Sequence, residues 1–260
     1  MSKVESLKPE NDASAPGLDN LESQAQETDI GPQADFGLTV TDLRKSFAAP
    51  GGERIEVLRG ISFSAVAGEV VAITGSSGAG KSTLLHLLGG LEVADHGSIV
   101  AGQFAIECAT PSALAHFRNQ QVGFVYQFHN LLPDLTAAEN VGMPLLISRT
   151  NRRQAMRRAT DMLAEVGLDS RVAKSLVGHL SGGEQQRVAV CRALITRPAV
   201  VLADEPTGNL DTIIGDEIAH LLVSYARGNQ ALVILATHNR ALAKLGDRTL
   251  ILRGGKLYSV

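Results

Sequence analysis

A chain of 260 residues, 44% of them hydrophobic and 20% charged, is long enough to bury a full α/β core and reads as one main globular domain. Its longest apolar runs, Ala199-Val-Val-Leu-Ala203 and Ala231-Leu-Val-Ile-Leu-Ala236, are strand-length and fall far short of the roughly 18 residues that span a bilayer, so no spanning helix is expected. A net charge of −3 lacks the basic excess of a nucleic-acid binder, and no nucleic-acid partner is expected.

Residues 1 to 36 carry eight acids against two lysines, which leaves the remaining chain at +3. Scattered Gly, Pro, Ser, Gln and Asn without an apolar period cannot offset the entropy of ordering, so this stretch is predicted to be a disordered acidic tail, solvated or serving as a docking arm, ahead of a domain covering 37 to 260. Nothing behind Met1 reads as an apolar h-region or a cleavage site, which predicts a cytoplasmic chain without a secretory signal. From Leu38 the pattern alternates: Leu38, Val40 and Leu43, then Ile55, Val57, Ile61 and Phe63, flank the turn Pro50-Gly-Gly-Glu53, as two antiparallel strands would.

The apolar stretch Val70-Val-Ala-Ile-Thr74 and the helical run Leu84-Leu-His-Leu-Leu88 bracket Gly75-Ser-Ser-Gly-Ala-Gly-Lys-Ser-Thr83. A glycine-rich loop between strand and helix is a phosphate-binding P-loop: Gly75, Gly78 and Gly80 let successive N–H groups face a polyphosphate, and the helix adds its positive end. Ser76, Ser77, Ala79 and Thr83 complete the loop, Lys81 reaches the β- and γ-phosphates, and the Ser82 hydroxyl is the usual protein ligand of the accompanying Mg²⁺. The expected ligand is a nucleoside triphosphate, and the loop alone leaves kinases, GTPases, helicases and transport ATPases open.

Further strands are predicted at Gly97–Val100 and Val122–Tyr126, and a helical region at about 128 to 190. Within it, Ala155, Ala159, Met162, Leu163 and Val166 recur at helical spacing while Arg152, Arg153, Arg157 and Arg158 crowd elsewhere, a solvated face or one suited to anionic lipid. The apolar strand Ala199–Ala203 suits a parallel sheet buried on both faces and runs into Asp204 and Glu205, the first placed to hold Mg²⁺ through water and the second to orient an attacking water. An amphipathic helix over Asp211 to Tyr225, a strand over Ala231 to Ala236 and a hairpin around Gly254-Gly255 close the chain. Cys108 and Cys191, the two cysteines, have no metal-like spacing and are expected as reduced, buried thiols in strand or helix.

Leu180-Ser-Gly-Gly-Glu-Gln-Gln-Arg187 contains a capping box, Ser181 to Glu184. Capping does not need two glycines, which cost helix propensity; bare N–H groups at a helix start make sense where another phosphate must approach. With this motif the chain resembles the ABC ATPase family over residues 38 to about 258. That resemblance implies an α/β P-loop NTPase of the ABC ATPase fold, with a mainly parallel core sheet, an antiparallel N-terminal sheet and an inserted helical subdomain. It makes Ser181, Gly182 and Gly183 the signature, Gln127 the Q-loop glutamine that meets the metal, Asn209-Leu-Asp211 the D-loop, Glu205 the catalytic carboxylate and His238 the switch histidine that contacts the γ-phosphate. Phe47 stands where the family commonly stacks a tyrosine on adenine; as a plain strand residue it would instead pack in the sheet. His86, His116, His129 and His179 are read as structural. A single P-loop and a single signature imply a head-to-tail dimer with ATP and Mg²⁺ sandwiched between copies.

Phe124-Val-Tyr-Gln-Phe-His-Asn-Leu-Leu-Pro133, Asp134-Leu-Thr-Ala-Ala-Glu-Asn-Val141, Met143-Pro-Leu-Leu146 and Leu85-His-Leu-Leu-Gly-Gly-Leu91 are similar to the ATPases of lipoprotein-releasing transporters (LolD type). That implies two integral-membrane subunits, a peripheral place on the cytoplasmic face of a bacterial inner membrane, and Phe128, Leu131, Leu132 and Met143 as candidate partner contacts. The related ATPases of macrolide-efflux and cell-division complexes share much of the Asn-Leu-Leu-Pro region and remain alternatives, as does a soluble ABC scaffold. His179 and Asn239 depart from the residues common at their places.

Overall fold

A computed structural model describes residues 36–259. Strand β1 (Gly37–Ala48) pairs antiparallel with β2 (Arg54–Val66) across the Pro50 turn, and on its other side with β4 (His96–Ala101), which carries the two-residue β5 (Phe104–Ala105). The second sheet has the order β10-β9-β3-β8-β7-β6, where β3 (Val70–Thr74), β6 (Val122–Tyr126), β7 (Val200–Asp204), β8 (Leu232–Thr237) and β9 (Arg248–Arg253) run parallel and β10 (Lys256–Ser259) closes the edge antiparallel. The strands predicted at 97–100 and 122–126 thus fall in different sheets, a division that local alternation does not encode.

Strands β3, β7 and β8 are buried on both faces, and successive side chains serve different cores. Val200 and Leu202 enter a cluster shared with β1, β2, β4 and helix α1 (Lys81–Leu88), whereas Val201 and Ala203 pack with α6 (Gly182–Leu194), α7 (Thr212–Asn229) and Leu242 of the short α8 (Arg240–Ala243). Helix α2 (Pro111–Gln121) covers the first cluster through Phe117.

A third cluster holds the helical region: α3 (Ala137–Ile147), α4 (Arg152–Glu165) and α5 (Ser170–Lys174), followed by a 3₁₀ turn at Val177–His179. It shares α6 with the sheet, since Val188, Cys191 and Ile195 face the third cluster and Val190, Ala193 and Leu194 face the second. Capping boxes start α3 at Thr136 and Glu139 and α6 at Ser181 and Glu184, and Asn151 caps α4. Two of the four arginines of α4 are tied to residues outside the helix: Arg152 pairs with Glu139 at 2.9 Å and Arg158 donates to the Ile195 carbonyl at 3.0 Å.

Two expectations need correction. Cys191 is buried, and its burial pushes the thiol up to about 12, but Cys108 is exposed. The short β5 ends before it, Ile106 is the last side chain buried there, and the chain turns to the Thr110 cap of α2. The tail expected over 1 to 36 lies outside the described residues except for Phe36, which is buried in the first cluster, so the core takes in one residue assigned to the tail.

Candidate active site

Parallel strands β3, β8, β7 and β6 are neighbours in that order, so their carboxyl ends open on one side of the sheet, the usual place for a ligand in such sheets. Each end delivers one group: Lys81 after β3, His238 after β8, Glu205 after β7 and Gln127 after β6. None of the four strands has room for this chemistry within itself, because each is packed by apolar side chains on both faces.

The loop after β3 fits closely where it leaves the sheet. A Cβ at Gly75 would stand 2.5 Å from the Leu252 carbonyl oxygen, and Gly80, with φ 102°, would meet Val57 at 2.9 Å. Gly80 caps α1 in a left-handed conformation and no side chain accepts from the first N–H groups, which leaves them for an anionic ligand. Lys81, 8% exposed, lies beneath the loop. Its Nζ donates to the carbonyls of Gly75 (2.9 Å) and Ser76 (3.3 Å) and stands 3.6 Å from Glu205 Oε1.

Glu205 is the most constrained group of the site. Its backbone has φ 45°, uncommon for a residue with a side chain and a form of strain that gathers at functional sites. Oε1 accepts from the His238 backbone N–H at 2.9 Å and lies 2.8 Å from His238 Nδ1, while Oε2 accepts from Thr237 Oγ1 at 3.0 Å. Gln127 donates through Nε2 to Asn209 Oδ1, and Asn209 Nδ2 donates back to the Gln127 carbonyl, both at 3.2 Å. Asn239, the departure beside His238, caps α8 by accepting from Ala241 and Leu242.

These groups border a cleft of about 590 Å³ lined by Phe47, Val57, Ser77, Gly78, Gly80, Lys81, Ser82, Thr83, Gln127, Asp204, Glu205 and His238, a size that suits a small-molecule ligand. Gly75, Ser76 and Ala79 belong to the loop but not to its open face. Phe47, 41% exposed, turns toward the cleft rather than into the sheet core. Sequence reasoning missed Val57 as lining and Thr237 as a donor to Glu205. The strand-end position of Thr237 was readable, but its place beside Glu205 and the approach of Val57 were not.

Ser82, Asp204 and Gln127 all line this cleft, and hydroxyl, carboxylate and amide oxygens are the hard donors taken by a divalent ion that keeps water and phosphate ligands. Among the described residues no group of three His, Cys, Asp or Glu side chains could hold a metal ion, so an ion in this cleft would need further ligands from outside the chain.

Ser181, Gly182, Gly183 and Asp211 are not brought to this cleft. Ser181 caps α6, exchanging hydrogen bonds with Glu184, whose carboxyl is thereby held below the usual range. A Cβ at Gly182 would meet open space, whereas one at Gly183 would stand 2.7 Å from Ile214 of α7. Asp211 caps α7 by accepting from Ile214. One turn into α6, buried Gln186 donates to the Pro206 carbonyl at 2.7 Å and weakly to that of Tyr126 at 3.4 Å, tying α6 to the loops that carry Glu205 and Gln127.

The sequence model of the ABC transporter family matches residues 58–208. The chain is 47% identical to the lipoprotein-releasing system ATP-binding protein LolD of Cytophaga hutchinsonii over 77% of this chain and 91% of that protein. For the protein of the same name from Geobacter metallireducens the identity is 46%, over 85% and 97% respectively. For that of Legionella pneumophila it is 44%, over 86% and 98%. Among solved structures, the dimeric ATP-binding cassette MJ0796 in a post-hydrolysis state bound to ADP and Pi superposes with a TM-score of 0.79 at 33% identity, covering 85% of this chain and 98% of that one. A second dimeric structure of MJ0796, a bacterial ABC transporter cassette, gives 0.78 at the same identity and coverage.

Proposed function

The chain belongs to the ABC transporter family and hydrolyses ATP, and from that premise we propose that it is the ATPase subunit of a lipoprotein-releasing transporter, driving lipoproteins from a bacterial inner membrane toward the outer membrane. The observation that carries this reading is identity of 44–47% to relatives of that name through 91–98% of their length.

In the proposed cycle the loop from Gly75 to Thr83 cradles the triphosphate with the free N–H groups of α1, Lys81 exchanges its carbonyl partners for phosphate oxygens, and Phe47 stacks on the adenine. Ser82, Gln127 and Asp204 would hold Mg²⁺, which when bound offsets the charge of the β- and γ-phosphates. Glu205 accepts the hydrogen bond of the attacking water and takes its proton as oxygen bonds to the γ-phosphorus and ADP leaves. His238, held at Glu205 in this structure, turns to donate to the γ-phosphate. Ser181, Gly182, Gly183 and Asp211 stand apart from their own cleft, and we read them as completing the site of a second copy, head to tail.

No helix among the described residues is long and apolar enough to cross a membrane, so the proposed place is peripheral, against two integral-membrane subunits on the cytoplasmic face. Phe128 and Leu132 are 71% and 46% exposed directly after Gln127 and are the proposed contacts. Leu131 packs on the third cluster instead.

The test is affinity purification of the Glu205→Gln form from its native membrane with ATP. Two lipoprotein-release membrane subunits are the expected companions. An efflux or division subunit would replace the cargo, and recovery without any membrane protein would overturn the transporter reading.

A further inference from the structure

We infer that Lys45 is a positioning residue for the base end of the nucleotide: it fixes the ring of Phe47 from one side so that the other face is presented to the purine. The inference rests on Phe47 being the base-stacking residue.

Lys45 and Phe47 are two apart on β1, with an irregularity of the strand between Lys45 and Ser46. Lys45 is only 8% exposed, unusual for a lysine, whose ammonium normally reaches for water. Its Nζ donates to Glu92 Oε1 at 2.9 Å and to the Val93 carbonyl at 2.7 Å, with Asp95 Oδ1 at 3.9 Å. An ammonium anchored this way is a fixed charge, and it stands 5.0 Å from the centroid of the Phe47 ring, inside the range of a cation–π contact.

A phenyl ring has no hydroxyl with which to hold its orientation. Phe47 is also outside the apolar clusters and opens on the cleft, so packing alone does not fix it. The cation takes one face and leaves the other for a flat, polarisable ligand. Asp95 reinforces the arrangement, because Oδ2 accepts from the Ser46 backbone N–H at 2.7 Å and from Arg54 at 3.1 Å, pinning the strand between the two residues. Glu92, Val93 and Asp95 lie in the segment that follows α1, so the helix whose start faces the phosphates also leads to the anchor of the residue that meets the base. Ordering Phe47 before the ligand arrives removes part of the entropy that binding must otherwise offset.

The experiment is titration calorimetry of the purified chain with ADP and, separately, with inorganic pyrophosphate, which has no base. Lys45→Met keeps the stem and removes the charge. It is expected to weaken ADP by about threefold to tenfold, the range that corresponds to immobilising one side chain on binding, to leave pyrophosphate unchanged, and to add no further loss in a Phe47→Ala background. Lys45→Arg should restore most of the ADP affinity. Equal losses for ADP and pyrophosphate, or the same loss with and without Phe47, would make Lys45 a structural prop and overturn the inference. If Phe47→Ala alone leaves ADP affinity intact, the base-stacking reading fails and the inference falls with it. Weakening by Phe47→Ala without any effect of Lys45→Met removes the inference alone. Should Lys45→Met fold poorly, Lys45→Gln, which retains a donor but no charge, gives the same readout.

Discussion

At Glu205 a strained backbone, two hydrogen-bond donors (Thr237 Oγ1 and the His238 N–H), the His238 ring and the Lys81 ammonium converge on one carboxylate. The left-handed conformation costs on the order of 1–3 kcal/mol, and it aims the side chain along the sheet end toward Lys81 and His238 rather than into solvent. Thr237, buried at the end of β8, contributes a hydroxyl that only strand pairing could bring there, since it lies 32 residues further along the chain. Glu205→Gln keeps the shape and removes the proton acceptor. It should lower kcat by about 10²–10⁴-fold, the usual range for a general base, while ADP binds as before; phosphate release and calorimetry measure the two effects. A fall of less than fivefold would remove Glu205 from the proposed chemistry.

The helical region shows how elements are set by their first turns. Glu139, Asp169 and Glu184 accept N–H groups at the starts of α3, α5 and α6, and each carboxyl is held below its usual range chiefly by those backbone hydrogen bonds. Glu92 and Asp95 shift in the same direction. Because the folded pKa values lie below the unfolded ones, the stability they bring is present above the unfolded values of about 3.9 for Asp and 4.3 for Glu. It is lost as pH falls through the folded values. The melting temperature should therefore decline as pH drops below about 4.3, and Glu139→Gln should flatten part of that decline; a Tm independent of pH between 6 and 3 would refute the linkage.

Packing between elements makes a second distinction. A Cβ at Gly123 of β6 would stand 2.5 Å from the Ala193 carbonyl of α6 and 3.0 Å from Pro198, and neither can move cheaply. At Gly142 of α3 it would meet the Met156 methyl end, which can swing aside. Gly123→Ala should cost about 1–3 kcal/mol by overpacking. Gly142→Ala should be neutral or gain up to about 1 kcal/mol from helix propensity. Denaturant titration of both variants compares them directly.

For the whole molecule, the third apolar cluster and the sheet are joined by α6, so the double glycine at its start and the loops bearing Glu205 and Gln127 are tied through Gln186. Arg192 of α6 also donates to the carbonyls of His129 and Asn130, in the segment where Phe128 and Leu132 are exposed. Phe128→Asp should abolish the stimulation of ATPase activity by membrane subunits while leaving Tm and ADP affinity as they were. Leu131→Asp should also lower Tm, because Leu131 packs on the third cluster. Equal stimulation of the Phe128→Asp form would rule out this surface as the contact.

The sequence by itself determined which residues are candidates for the chemistry and on which strand or helix end each one sits. The glycine spacing before Lys81, the acidic pair closing an apolar strand and the capped double glycine at Ser181 are local patterns, and local patterns are readable from one chain. Tertiary structure alone decided that β4 and β6 belong to different sheets, that Cys108 is exposed, that Thr237 reaches Glu205, that Val57 closes on Gly80, and that Lys45 stands under Phe47. Each of these depends on strand order and on contacts between residues distant in sequence, which are fixed by the collective burial of apolar faces rather than by any residue's immediate neighbours.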